Sequence, residues 1–526
     1  MRGLAWLGAA LALLFLFGLA TPAPALPIEP LLALLAVLAL PPRAARVAAY
    51  PLALLLVVLG LVALAASRVQ GVLGRPLDLA LDLRLLPALG EWLKGTLPPV
   101  QAIALVAGGL AVLLALCALA LAVLRGAASW RAGNPAARRG AALGLAAALG
   151  LAALLPLAKA DGIGEVATQW RRGAETARTL ARLGDALAEE PLADIPQGLR
   201  LHGLADVDVL VVFVESYGRS ALDRDPVRAL IRPRLDAFDA AVAEAGLRAA
   251  SGWLASPTVA GQSWLAHGTL MGGLRLDSQP AYDLLLRSGR LSLSHLFEAA
   301  GHRTVTVMPA IVRPWPEAAW FGFDRTYFAA DMGYQGPAYD WVTMPDQYTL
   351  SVLQRRELAP KDRPPVFAEV ALVSSHAPWT PIAEPIDDWT AVGDGRVFER
   401  WAGNGEPPAV VWSDTAKLRA YYARSLDYSL AVLQGFAERY VGGRTLLLIL
   451  GDHQPAGRVT GPDAGREVPF HVLSADPALV APFLDWGLTP GMTPGPTAAS
   501  HPMEAVRDRL VRAFSPAAAP VAASRG

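Results

Sequence analysis

Two hydrophobic rhythms divide this chain. Up to about residue 160 the apolar residues run in long blocks, roughly 4–20, 28–41, 48–67, 101–124 and 140–159. A helix needs about 20 predominantly apolar residues to cross the hydrocarbon core of a bilayer. The blocks therefore predict a multi-span helical membrane domain over 1–160 with about five transmembrane helices. The second block is short and flanked by proline. The first, followed by Thr21-Pro22-Ala23-Pro24-Ala25, also fits a cleavable signal peptide. From about 206 the apolar runs shorten and alternate with helical spacing. They predict strands at 207–214, 304–308, 366–373, 445–450 and 469–473, and helices at 227–245, 291–300, 414–440 and 503–514. Such alternation predicts an α/β sandwich over 206–515 with a mostly parallel central sheet. The connection 161–205 carries an Arg/Glu-rich stretch, 170–188, with apolar residues at helical spacing, an amphipathic linker helix. Residues 516–526 are an Ala/Pro-rich tail.

The charges orient the first half. Arg43 and Arg46 lie between the second and third blocks, and Arg125, Arg131, Arg138 and Arg139 between the fourth and fifth, with no acid among them. Arg-only loops face the cytoplasm, so five spans place the second half outside it. Segment 68–100 mixes Arg68, Arg75, Arg84 and Lys94 with Asp78, Asp82 and Glu91 around Trp92. It reads equally as an amphipathic strip on the outer membrane face and as a plain extracytoplasmic loop. Across the whole chain 46 basic residues balance 46 acidic ones, so no bulk pull on nucleic acid is expected. The single cysteine, Cys117, excludes an intramolecular disulfide and a cysteine-built metal site. All eight histidines follow residue 200, which assigns the chemistry to the second half.

Three predicted strands end on reactive side chains. Thr445-Leu446-Leu447-Leu448-Ile449-Leu450 leads into Gly451-Asp452-His453. Ligands of open α/β sheets bind at the carboxyl ends of strands, and carboxylate and imidazole both bind catalytic divalent metals. Val209-Leu210-Val211-Val212-Phe213-Val214 runs straight into Glu215. A carboxylate after six apolar residues is either a solvated strand end or a group that burial obliges to find a partner. The 366–373 run leads to Ser375-His376-Ala377-Pro378, where His376 is compatible with a site and with a hydrogen-bonded loop. A fourth element runs from Ser256 through Thr258 to Ser263, then through a helix-compatible stretch to Gly272-Gly273. A hydroxyl opening a helix sits where free N–H groups and the dipole favour an anion. That suits a nucleophile attacking phosphate, and also an ordinary N-cap.

In this order the four elements resemble the alkaline phosphatase/sulfatase superfamily. The resemblance is closest to its membrane-anchored branch: lipoteichoic acid synthases, phosphoethanolamine transferases and phosphoglycerol transferases. It covers about residues 206–475, and it implies a role for each motif. Glu215, Ser263, Asp452 and His453 would hold one divalent metal ion, zinc or manganese, with Ser263 as the nucleophile and Leu270 and Gly273 at matching positions behind it. His376 would bind substrate, and protonate the leaving alcohol or hold a phosphoryl oxygen. Arg313 and Trp315 would hold the head group. The departures from the pattern are informative. Serine replaces the threonine common in the lipid-headgroup transferases, and Thr258 is the alternative nucleophile in another register. Ser263-Trp264-Leu265-Ala266-His267 lacks the Pro and Arg of the sulfatase Cys/Ser-x-Pro-x-Arg sequence, which argues against sulfate esters. One acid after the first strand, rather than two, argues for a single metal. His267, His471 and His501 read as structural or peripheral.

The function so implied moves a phosphoglycerol or phosphoethanolamine group from a membrane phospholipid donor to an envelope glycan or lipid acceptor through a phospho-Ser263 intermediate. A bacterial-type cytoplasmic membrane would hold the multi-pass anchor, with the catalytic domain in the periplasm or cell exterior. The alternatives are a hydrolase of the same fold (a phosphodiesterase before a sulfatase) and a non-catalytic envelope scaffold.

Overall fold

The computed structural model of the chain describes residues 26–516 apart from 74–75, 84–85, 87–89, 91–97, 131–134, 155–157, 160 and 462. Two compact units divide it, Met1–Thr179 and Leu180–Gly526. The first is helical: α1 (Glu29–Ala39), α2 (Pro42–Leu73), α3 (Pro99–Trp130) and α4 (Pro135–Leu154), followed by α5 (Asp161–Ala188), within which the unit boundary falls. Two helical stretches among the described residues, Pro42–Gln70 and Pro99–Ser129, are long and apolar enough to span a bilayer, where the sequence predicted about five spans. The 28–41 block fails on length: α1 is 11 residues, about 16 Å at 1.5 Å per residue, and Pro41-Pro42 then interrupt it. The 140–159 block lies partly in α4, which also carries Arg138 and Arg139. The 4–20 block and parts of 68–100, including Trp92, lie outside the described residues. Ala45, Ala49 and Ala53 of α2 are buried with Ala120, Val123 and Leu124 of α3, while Ile103, Val106, Leu110 and Leu114 of α3 are exposed. An apolar exterior of that kind suits hydrocarbon rather than water.

The second unit is built on a nine-stranded sheet, taken among the described residues. Its strands are β1 (Asp208–Val214), β2 (Arg248–Ala255), β3 (Arg303–Met308), β4 (Arg325–Phe328), β5 (Val366–Leu372), β6 (Thr445–Gly451), β7 (Glu467–Ser474), β8 (Thr489–Pro490) and β9 (Ser500–Pro502). They lie in the order β8-β2-β7-β6-β1-β5-β3-β4, with β9 also on β2. The sheet is mixed rather than mostly parallel. β6, β1, β5, β3 and β4 run parallel, whereas β7 is antiparallel to β6 and to β2. The reversal follows from the connection: among the described residues of 452–466 the one helix is the single turn Gly457–Thr460, and a parallel return needs a full crossover. β2 has no apolar rhythm to reveal it, because small residues are needed there. A Cβ on Gly252 would lie 2.9 Å from Leu488 Cγ and 3.1 Å from the Ala499 carbonyl oxygen.

Helices cover both faces. They are α6 (Val227–Glu244), α7 (Ser263–Gly272), α8 (Gln279–Leu286), α9 (Leu293–Ala299), α10 (Asp346–Leu353), α11 (Thr415–Tyr440), α12 (Pro477–Asp485) and α13 (Ala505–Ala513). Alternate residues of β1 supply the two cores. Leu210, Val212 and Val214 pack with α6, α10 and α11. Val209, Val211 and Phe213 pack with α7, α8, α9, α12 and α13. Burial on both faces is why these strands read as continuous apolar runs.

One polar chain crosses the sheet below its reactive end. Tyr217 Oη donates to His471 Nε2 at 3.1 Å, His471 Nδ1 lies 2.7 Å from Ser251 Oγ, and Ser251 Oγ donates to the Gly491 carbonyl at 2.6 Å. This arrangement fixes His471 as the neutral Nδ1–H tautomer, and burial pushes its pKa from 6.5 down to about 3. A depressed histidine pKa means that the unfolded chain binds the extra proton. Its contribution to stability is therefore complete above 6.5 and declines as pH falls from 6.5 toward 3. Between about pH 6 and about pH 4 this group should remove roughly 1.4 kcal/mol per pH unit. Urea unfolding across that range should show a shallower pH slope in His471→Asn than in the parent.

Candidate metal centre and its cleft

The parallel register of β1 and β6 brings two acids together. Val214 pairs with Gly451, so the next residues, Glu215 and Asp452, leave adjacent strands side by side. The chain then turns sharply: Ser216 adopts φ 56°, in the left-handed region. In that conformation its N–H donates to Asp452 Oδ1 at 2.7 Å and its hydroxyl donates to Glu215 Oε1 at 2.7 Å. Tyr422 of α11 donates to the Ser216 carbonyl at 2.7 Å, Ser375 Oγ to the Glu215 carbonyl at 2.6 Å, and Ser256 Oγ to the Asp452 carbonyl at 2.6 Å. Side chains are excluded where the two turns interlock. A Cβ on Gly451 would collide with the Tyr217 carbonyl oxygen, and one on Gly218 with Gln454.

Three ligand atoms, one each from Glu215, Asp452 and His453, all lie within 4.8 Å of one another. His453 Nε2 is 3.5 Å from Glu215 Oε1 and 3.5 Å from Asp452 Oδ2. Its Nδ1 is 2.9 Å from the Gln454 carbonyl; donating there leaves the Nε2 lone pair for a metal. Ser263, the first residue of α7, places Oγ 3.3 Å from Glu215 Oε2 and 3.2 Å from His453 Nε2. Asp452 is pushed up to about 6 by burial and by the charge of Glu215. Burial also raises Glu215, but the His453 and His376 charges and the Ser216 hydroxyl outweigh it and hold Glu215 at about 2. Burial lowers His453, and the two carboxylates overcome that to raise it. Like charges packed this closely resist joint ionisation without a cation. Two carboxylates, an imidazole and a hydroxyl converging on one point fit a divalent metal ion.

The centre opens into a cavity of about 660 Å³ lined by Glu215, Ser263, Asp452, Arg313, Trp315 and His376. Trp315 is packed against Phe321 and Phe328. His376 is exposed, with Nδ1 2.5 Å from the Ala377 carbonyl. Thr258 is elsewhere: it is buried, and its hydroxyl donates to the Gly261 carbonyl at 2.7 Å. His471 lies within the sheet, and His501 Nε2 is 2.7 Å from the Trp486 carbonyl. His267, read from the sequence as structural or peripheral, lines the same cavity as Ser263, as do Trp264, Tyr282 and Trp341. Sequence reasoning did not reach Ser216, Tyr422, Gln454 or Glu369. Only Glu369 left a signal, a lone acid inside Val366-Phe367-Ala368-Glu369-Val370.

No family model and no curated protein matches the chain. Among solved structures it is similar to the integral membrane protein lipooligosaccharide phosphoethanolamine transferase A (EptA) from Neisseria meningitidis, at 10% identity over 87% of this chain and 83% of that one, TM-score 0.44. It is similar to the C-terminal periplasmic domain of EcEptC from Escherichia coli in complex with Zn, at 13% identity over 60% of this chain and 82% of that one, TM-score 0.38. It is similar to the lipoteichoic acid synthase LtaP from Listeria monocytogenes, at 15% identity over 56% of this chain and 71% of that one, TM-score 0.36. At these identities and scores the likenesses carry neither reaction nor substrate over to this chain.

Calorimetric titration with zinc or manganese should show one site per chain. Asp452→Asn and His453→Ala should each weaken it by more than about 100-fold, beyond the usual loss for an outer-shell residue. Thr258→Val should leave it unchanged.

Proposed function

We propose that the chain is a metal-dependent enzyme of the alkaline phosphatase/sulfatase superfamily that moves a phosphoglycerol or phosphoethanolamine group from a membrane phospholipid to an envelope glycan or lipid. The observation that carries this reading is the convergence of Ser263 Oγ on the atoms of Glu215 and His453 at the mouth of the cavity. Glu215, Ser263, Asp452 and His453 would hold the ion. Bound there, a divalent cation lowers the pKa of the serine hydroxyl and neutralises charge on a transferring phosphoryl oxygen.

Each remaining role belongs to a side chain already in place. Ser263, at the start of α7, is aimed by the helix that carries it and attacks phosphorus in line, giving a phospho-Ser263 intermediate. His376, tethered through Nδ1 to the Ala377 carbonyl, holds a phosphoryl oxygen or protonates the departing alcohol. Arg313 contributes positive charge for the phosphodiester, and Trp315 a flat apolar wall for the head group. An acceptor alcohol then displaces Ser263. The phosphate reading is favoured over the sulfate one because Leu265 and His267 stand on α7 where the sulfatase sequence has Pro and Arg. A lipid donor accords with the apolar stretches Pro42–Gln70 and Pro99–Ser129. Placing the domain outside the cytoplasm requires the apolar part of α4, after Arg139, to cross as well.

The test is to incubate the metal-loaded protein with head-group-labelled phospholipid. Diacylglycerol should be released and label should appear on Ser263 by mass spectrometry. Ser263→Ala should lower release by more than about 1000-fold, as loss of a nucleophile does. Label on Thr258 would overturn the assignment of the nucleophile. Water as the only acceptor, whatever glycan or lipid is supplied, would make the protein a phosphodiesterase.

A further inference from the structure

Glu369 is the least expected residue of the sheet. It sits mid-strand in β5, paired on one side with Val211 of β1 and on the other with Thr306 of β3, and is fully buried. Only one of its oxygens is served: Oε1 is 2.8 Å from His267 Nδ1, while Oε2 has no hydrogen-bond partner. A buried carboxylate so poorly served is destabilising, and an apolar side chain of similar volume would pack there without that cost. What the carboxylate does is act on His267. It fixes Nδ1 as the protonated nitrogen, leaves Nε2 as the ring atom for the cavity, and stabilises the imidazolium when it forms, as the buried carboxylate of a catalytic triad does. The ring is held flat on Phe213, centroids 3.8 Å apart. His267 follows Ser263 by four residues on α7, which puts both on one helix face, and both line the same cavity.

We propose that His267, held by the positioning residue Glu369, is the proton-transfer residue of this site: it protonates the alcohol that leaves and deprotonates the alcohol that enters. This rests on the phosphoryl-transfer reading above and deepens it. With Ser263 entering deprotonated, Oγ bonds to phosphorus while the bond from phosphorus to the leaving oxygen breaks. The electron pair departs with that oxygen, which takes the proton from His267 Nε2. In the second half the acceptor hydroxyl gives its proton to Nε2 as its oxygen bonds to phosphorus and the bond from phosphorus to Oγ breaks. Ser263 and the imidazolium are both restored. The division of labour with His376 follows from what backs each ring. His376 rests on a neutral carbonyl, which suits holding a phosphoryl oxygen. His267 rests on a carboxylate, which suits cycling between charged and neutral forms.

The test compares two phosphodiesters on the metal-loaded full chain in detergent, one with a para-nitrophenol leaving group and one with a simple alkyl alcohol. Para-nitrophenolate leaves without a proton; an alkoxide does not. His267→Gln should slow the alkyl ester by at least about 100-fold, the usual range for a lost general acid, and the aryl ester by less than about tenfold. Glu369→Gln should shift the two rates in the same unequal way. Equal losses on both esters in either variant, with or without a lower melting temperature, would make the pair structural and overturn the proposal. So would unchanged rates on both. If His267→Gln does not fold, the Glu369→Gln comparison decides alone. A parent protein that turns over neither ester would instead overturn the phosphoryl-transfer reading itself.

Discussion

Two carboxylates are forced together at the carboxyl ends of β1 and β6 because Val214 and Gly451 are partners in one parallel ladder. Everything around them manages that repulsion. The left-handed turn at Ser216 directs an N–H at Asp452 and a hydroxyl at Glu215. His453 presents Nε2 to both acids, and Gly451 and Gly218 make room for the turns to interlock. Burial and the charge of Glu215 still push Asp452 up to about 6, against the His453 charge. A divalent ion held here would offset that repulsion, and Ser263 is the hydroxyl that would share it.

The rest of the second unit serves to keep that point rigid. In strands buried on both faces by two helical layers, a slip of one residue would exchange the side chains of the two differently shaped cores. Ser263 arrives from the layer of α7 and Tyr422 from the opposite layer of α11. Both layers and the sheet therefore meet at the centre, and a shift in either would move a group that touches it. Trp264, Trp315 and Trp341 also line the cavity.

The sequence made some of this legible and concealed the rest for physical reasons. β1 and β6 are continuous apolar runs, so their ends, and with them Glu215 and Asp452, could be read directly. β2 could not, since Arg248-Ala249-Ala250-Ser251-Gly252 has no rhythm of large side chains, and Leu488 and Ala499 leave no room for a Cβ at Gly252. The antiparallel return of β7 depends on the lack of a crossover helix among the described residues of 452–466, which apolar patterning does not report. The 28–41 block falls short of a span because Pro41-Pro42 close α1 early. His267 looked like any core histidine on a helix. Its carboxylate lies 102 residues away, beyond any local pattern.

Glu215, Ser263, Asp452 and His453 are proposed to form one metal centre. Anomalous diffraction from crystals grown with zinc or manganese tests it most directly. A single strong peak is expected about 2.0–2.2 Å from the Glu215 and Asp452 carboxylates and His453 Nε2, with Ser263 Oγ closing the site. A peak elsewhere, or none at these side chains under saturating metal, would contradict it.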